Sequence, residues 1–499
     1  MSLLGIDVGS SRCKAAVFSC TGALLAEAAR GYVPQFGADG KVEIDPVQYW
    51  LAVQAVVREV AAQVGDDAIT ALALSTHGET LVPVDRDGQA LGMMIANADN
   101  RAVAEAQWWD AQVGKARIFD ITGTVVHPMF PLVKLAWLQR HEPERFAAAA
   151  RFVSIQEYLL MQLGLPPLID FSLASRFMAF DVRKQRWSTE MLAPLGLPVD
   201  RLPIPVPAGT IAGRLDAAIA ESLGLLPGTL VAIGGHDQPC GALGVGAIHP
   251  GDVSDSIGTY ECLVAIGAHP TLSDGALAAN LNTYCHVVPD HFITIAFFPS
   301  GVMLQWYQEL LASPHGEVSF AELEAHAPPH PTGLCITPHL LGSCTPYWDP
   351  RATAVIAGLT PRADRYHLYK GILEGLACEF TINVEVLTEL VGPFDLLRVT
   401  GGGARSPLGL HLRAALSGRK LQPMCNQEAV CLGAALLAGV ASGAYTNLEE
   451  AVTATMQPGE VIPAAEAIKT AYASQFAQYR RLYTALSAFR EAYSEGGQP

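Results

Sequence analysis

The stretch "IDVGSSRCKAAVF" at residues 6–18 returns in outline as "DSIGTYECLVAIG" at residues 255–267. Each copy reads as an apolar strand, a small turn holding one glycine and one or two hydroxyl residues, and a second strand. A chain that opens with such a hairpin and repeats it past its midpoint is read as duplicated, with one α/β domain built on each copy. At 499 residues it is too long for one ordinary core. The proline-dense "PVDRLPIPVP" at 198–207 lies between the copies, and the boundary is set near 245–255. The expected division is residues 1–247 and 248–499.

Downstream of the first hairpin, Asp45 and Pro46 mark a helix start, and "VQYWLAVQAVVREVAAQVG" has apolar residues at helical period with Gly65 at its end. "ITALALST" then reads as a buried strand. No G-x-G-x-x-G follows the first strand, so this is not a dinucleotide-binding order. A further buried strand, "LVAIGG" from Leu230, runs into Asp237 within "GGHDQPCGALGVGA". An ionised carboxylate among small and apolar residues is costly unless it is paired, binds a metal or faces a wet cleft. Ligand sites of open α/β sheets lie at such strand ends. Asp237 is therefore the candidate for chemistry, with a loop-capping role as the alternative.

"DVGSS" and "SIGT" hold what a phosphate cradle needs, a glycine for close backbone approach followed by hydroxyls and N–H groups. "TGGGARS", residues 400–406, follows the apolar strand "FDLLRV" and precedes a helix, leaving room for a flat base or ribose. Two such turns, a glycine-rich strand-to-helix loop and an acid after a buried strand are the parts of ATP-dependent phosphoryl transfer without a Walker motif. Asp237 is placed as the base that takes the proton of the acceptor hydroxyl.

Other classes are disfavoured. The 48 acidic against 32 basic residues give a net charge of −16 with no long Lys/Arg run, which argues against a nucleic-acid partner. The ten cysteines are scattered without a C-x-x-C pair, as in reduced thiols. The first residues enter a strand at once, and no apolar run approaches the ~18 residues of a membrane helix, so a cytoplasmic protein is expected. "LGAALLAGVASGAY" carries glycines suited to tight helix packing, and those at 234–258 suit either a hinge or close packing.

Several stretches together resemble the FGGY family of carbohydrate kinases over essentially the whole chain. "MFPLVKLAWLQRH" is similar to its first signature, with Pro131, Lys134 and Trp137 in place. "AVIAGLTPRADRYHLYKGILEG" is similar to its second, with Gly358, His367 and Glu374 in place and Gly371 where Ala or Ser is usual. "GIDVGSSRCK", "GGHDQPCGALGVG" and "GGGARS" resemble its phosphate, catalytic and adenosine segments. Within the family the likeness is greatest to xylulose kinases, through "STHGETLV" and "NADNRAVAE". The sugar loop usually written G-E-R-T-P appears as "GSCTP" at 342–346, and Tyr260 replaces a small residue in the second turn.

The resemblance implies a two-domain actin-like, ribonuclease H-like ATPase fold with a ligand cleft between an N-terminal sugar-binding domain and a C-terminal nucleotide-binding domain. It implies ATP and Mg²⁺ as cofactors, and it is compatible with a homodimer. Asp7, with Asp237, is expected at the metal. Ser10, Ser11, Lys14, Gly258 and Thr259 are expected at the phosphates, Gly301 and Gln305 at a helix start beside the nucleotide, and Gly402, Gly403 and Ser406 at adenosine. His77, Gly78 and Asp99 are expected to join Asp237 around the sugar. The expected reaction is phosphorylation of D-xylulose to xylulose 5-phosphate. The alternatives are a kinase of ribulose, fuculose, gluconate or glycerol, or a sugar sensor or chaperone-like ATPase on the same fold.

Overall fold

The computed structural model describes residues 2–65, 67–312, 318–487 and 490. Two six-stranded sheets frame the chain. In the first, β1 (Ser2–Val8) and β2 (Arg12–Ser19) form the opening hairpin and β3 (Leu24–Gly31) extends it antiparallel. On the other side of β1 lie parallel β4 (Ile69–Thr76), then parallel β6 (Leu230–His236), with antiparallel β5 (Ile211–Arg214) at the edge. In the second sheet, β7 (Val253–Ile257) and β8 (Tyr260–Gly267) form the repeated hairpin. β10 (Phe292–Pro299) pairs antiparallel with β8, and β9 (Asn282–Cys285) pairs with β10 at the edge. Parallel β11 (Leu396–Thr400) and β12 (Lys420–Pro423) follow on the far side of β7. The sheets share one plan, as the repeated hairpin predicts. Strands β4 and β6 are apolar along nearly their whole length because both faces of a parallel sheet are covered.

Helix α1 (Pro46–Val64) begins where the sequence indicates. The Asp45 carboxylate accepts from Val47 N at 3.0 Å, Pro46 needs no N–H partner in the first turn, and Gly65 ends the helix. Its buried face is Tyr49, Val53, Val56, Val57 and Val60, an apolar stripe at helical spacing.

One helix departs from a simple division of the chain into halves. Helix α7 (Ala429–Ser442), within the segment assigned to the second domain, packs on β1, β4 and β6 of the first sheet and on helix α3 (Asp237–Gly244). The approach is backbone to backbone. A Cβ on Gly5 would lie 1.7 Å from the Cys431 carbonyl oxygen, one on Gly433 1.9 Å from that of Cys240, and one on Gly244 1.8 Å from that of Ala429. A Cβ on Gly234 would likewise lie 1.9 Å from the Leu74 carbonyl oxygen. Gly234 and Gly244 thus serve close packing rather than a hinge. Among the described residues no helix is long and apolar enough to cross a membrane.

Candidate active site

The carboxyl ends of β1 and β6 face those of β7 and β11 across a cleft lined by Asp7, Lys14, Asp237, Ser256, Thr400, Gly401 and Glu428. Asp7 stands near the end of β1. Burial pushes its carboxyl up to about 6, with Lys14 opposing and Glu428 reinforcing the rise, and its Oδ1 is buried without a hydrogen-bond partner. Lys14 reaches into the cleft from β2, where its Nζ lies 2.7 Å from both oxygens of Glu428. Glu428 gave no signal in the sequence.

Asp237 is the first residue of α3. Burial pushes it up to about 8; the charges of Asp7 and Glu79 add to the rise, while the Gln238 amide and Arg176 oppose it. His236 Nε2 is 3.3 Å from Asp237 Oδ1 without the alignment of a hydrogen bond, so this oxygen too lacks a partner. Two carboxylates with open oxygens suit Mg²⁺, which keeps most of its waters and takes one or two carboxylates together with substrate phosphates. Among the described residues no group of three His, Cys, Asp or Glu could enclose a metal alone, so the fit is to an ion shared with a phosphate ligand.

Around the second hairpin the segments expected at the nucleotide lie against one another. Ser10 and Ser11 occupy the exposed turn between β1 and β2, and Gly258 and Thr259 the matching turn between β7 and β8. Gly301 opens helix α4 (Gly301–Leu311), and its N–H donates to the Gly258 carbonyl at 3.0 Å; a Cβ there would lie 2.4 Å from that oxygen. Gly401, at φ +90°, and Gly403 lie against Ile257, where a Cβ on Gly403 would come within 2.2 Å of Ile257 Cγ2. Ser406 caps helix α6 (Pro407–Ser417). It accepts from Gly409 N at 3.0 Å and donates to Glu324 at 2.7 Å, so its hydroxyl holds the loop. Gln305 is exposed on α4 with Nε2 3.1 Å from Glu309, outside the cleft lining. Ser406 is thus turned to the protein, and Gln305 takes the helix-surface place that its position in the sequence equally allowed.

On the other side of Asp237, His77 directly follows β4. Its Nδ1 is 2.9 Å from the Val8 carbonyl, which only accepts, so the proton sits on Nδ1 and the buried, unpartnered Nε2 is an acceptor. Burial holds its pKa below the usual histidine value. Gly78 follows because a Cβ there would lie 3.0 Å from both Arg176 Cγ and His236 Cδ2. Glu79 has φ +61°, and its carboxylate pairs with Arg176 Nε. The Arg176 guanidinium lies 4.6 Å over the Tyr284 ring and 5.2 Å over that of Phe130, with Nη1 buried and unpartnered. Tyr284 in turn hydrogen-bonds His236 Nδ1 at 3.1 Å. Glu79, Arg176, His236 and Tyr284 all escaped the sequence reading, although Glu79 and His236 lay inside quoted motifs.

Asp99 corrects an expectation. It is fully buried and accepts from Val42 N at 2.7 Å, from Arg101 N at 3.0 Å and from the Arg101 guanidinium at 2.7–2.9 Å. Both oxygens are taken up in fixing Arg101, which leaves none for a sugar hydroxyl. In the altered loop, Ser343 accepts from Asp349 N at 3.1 Å, and just past it the Trp348 ring stands edge-on to His127, centroids 5.1 Å apart.

Lys134, on helix α2 (Pro131–His141), donates from Nζ at 2.6 Å to the carbonyls of both Glu79 and Ala96 and so fixes the left-handed Glu79. Burial pulls its pKa down to about 7. The unfolded chain, near the ordinary value of 10.5, binds more protons between those limits, so this group makes stability rise with pH from about 7 to 10. Melts of Lys134→Met over that range should lack this slope.

The sequence model of the N-terminal domain of the FGGY family of carbohydrate kinases matches residues 2–244, and that of its C-terminal domain matches residues 254–442. The chain belongs to the FGGY family. It is thus a carbohydrate kinase. A gluconokinase of Bacillus subtilis is 27% identical over 90% of this chain and 89% of its own. A glycerol kinase of Citrifermentans bemidjiense is 31% identical over 88% of this chain and 90% of its own. The crystal structure of xylulose kinase from Rhodospirillum rubrum superposes with a TM-score of 0.87 at 26% identity, covering 98% of this chain and 100% of that one.

Proposed function

We propose that this FGGY kinase transfers the γ-phosphoryl group of ATP to a hydroxyl of D-xylulose, giving xylulose 5-phosphate. The observation that carries the transfer is Asp237, a carboxylate with an open oxygen at the start of α3, between the cleft and the Glu79–Arg176 pair. A sugar hydroxyl is a weak nucleophile near neutral pH, and Asp237 Oδ1 accepts its proton as the oxygen attacks phosphorus. Mg²⁺, bound near Asp7 and Asp237, would neutralise charge on the phosphate oxygens. Ser10, Ser11, Gly258 and Thr259 present the two turns between which the phosphates lie, with Gly402 and Gly403 beside adenosine. Lys14 exchanges its contact with Glu428 for a phosphate oxygen when nucleotide enters. His77 Nε2 accepts a hydrogen bond from one sugar hydroxyl, and Arg176 Nη1 donates to an oxygen of the same acceptor.

Two observations support a neutral ketose. Glu79 already balances the charge of Arg176, so the site needs no anion, and the xylulose kinase match covers 98% of this chain and 100% of that one. The unpartnered Nη1 of Arg176 favours a second reading, a sugar acid whose carboxylate takes that N–H, in line with the gluconokinase relative. ADP release with Mg·ATP over D-xylulose, D-ribulose, L-fuculose, gluconate and glycerol separates them. D-Xylulose is expected to give the highest kcat/KM; gluconate far above every ketose would install the second reading.

A further inference from the structure

Three segments assigned above to the nucleotide converge on one buried carboxylate. Glu261, just past the Gly258–Thr259 turn, is fully buried. Its Oε1 accepts from Arg413 Nε at 2.7 Å, and its Oε2 accepts from Arg413 Nη2 at 2.6 Å and from the Ser300 hydroxyl at 2.8 Å. Ser300 immediately precedes α4, and its own N–H donates to the Thr259 carbonyl at 3.0 Å. Arg413 lies on α6, the helix behind the 401–406 loop, and its Nη1 donates to Gly409 O at 3.2 Å. Asp255, on β7, is also fully buried with neither oxygen hydrogen-bonded. Burial, then the neighbouring Glu261 charge, push its carboxyl well above the usual carboxylate range, with Arg413 opposing.

We propose that Glu261 and Arg413 are a positioning pair that holds the phosphate turn, the start of α4 and the adenosine loop in one register for ATP. Neither residue lines the cleft, so each acts through the segments it joins. A buried ion pair adds little net stability over apolar residues of similar volume, whereas a planar two-point contact fixes the relative orientation of β8 and α6. The inference rests on the nucleotide reading above and adds to it what keeps the three segments together.

The test is the affinity for Mg·AMPPNP by calorimetry beside the KM for the best acceptor of the panel. Glu261→Gln and Arg413→Lys should each weaken nucleotide binding about tenfold or more, equivalent to ~1.4 kcal/mol, and leave the acceptor KM within about twofold. Each single change leaves a buried group imperfectly paired, so the apolar double variant Glu261→Leu/Arg413→Met is measured as well. It removes both charges together and should fold yet bind nucleotide as poorly. Wild-type nucleotide affinity in the folded double variant, or equal losses for nucleotide and acceptor, would overturn the proposal. Thr259→Ala and Gly403→Val serve as controls. If they too leave nucleotide binding untouched, the nucleotide reading itself fails; if they weaken it while the pair variants do not, only the positioning role falls.

Discussion

Asp237→Asn is expected to fold, to bind Mg·ATP and to lose about 10²–10⁴ of its acceptor-dependent turnover. The amide keeps the shape of the side chain at the start of α3 and gives up only the ability to take a proton. In the wild type the acceptor must meet an ionised carboxylate, and burial lifts Asp237 to about 8, so kcat/KM should fall as pH drops below that value. The residual activity of Asp237→Asn should show no such limb. A bound cation stabilises the ionised form, so raising Mg²⁺ should move the wild-type limb to lower pH. Turnover of the variant within about threefold of wild type would remove Asp237 from the role of base.

Arg176→Met should have the next largest effect, on two readouts at once. Its loss strands the buried Glu79 carboxylate, a change that typically costs about 3–5 kcal/mol of stability. The acceptor also loses the Nη1 donor, and its kcat/KM is expected to fall ~10²-fold while the Kd for Mg·AMPPNP stays near wild type. The double variant Glu79→Gln/Arg176→Met separates the two effects, because it leaves no unpaired charge. Thermal melts should recover in it and acceptor use should not. Recovery of acceptor kinetics together with stability would mean that the pair only supports the fold.

The fold was legible because its signals are local. A repeated hairpin, two apolar runs ending in small residues and a capped helix state their structure within a few residues each, and the sheets assembled as those pieces imply. Parts of the site were legible for the same reason, since Asp7, Lys14 and Asp237 sit in motifs at strand ends. On the acceptor side only His77 and Gly78, in the motif that follows β4, were. Arg176 meets Glu79 from 97 positions away, and Tyr284 meets His236 across 48. Asp99 shows the converse error, because its motif is intact while its oxygens are occupied by a neighbour two residues on. Nor does any periodicity announce the left-handed backbone at Glu79, whose carbonyl is held by Lys134 Nζ.

The helix at residues 429–442 has a consequence for how the chain is made. The first sheet is drawn almost wholly from residues 2–236, yet one face of β1, β4 and β6 is closed by a helix that leaves the ribosome about two hundred residues later. Until then the glycine-lined face lacks this helix, and apolar surface left open in that way favours aggregation. Expressed alone, residues 1–247 should therefore be aggregation-prone, and supplying 248–499 as a separate chain should rescue them by docking that helix.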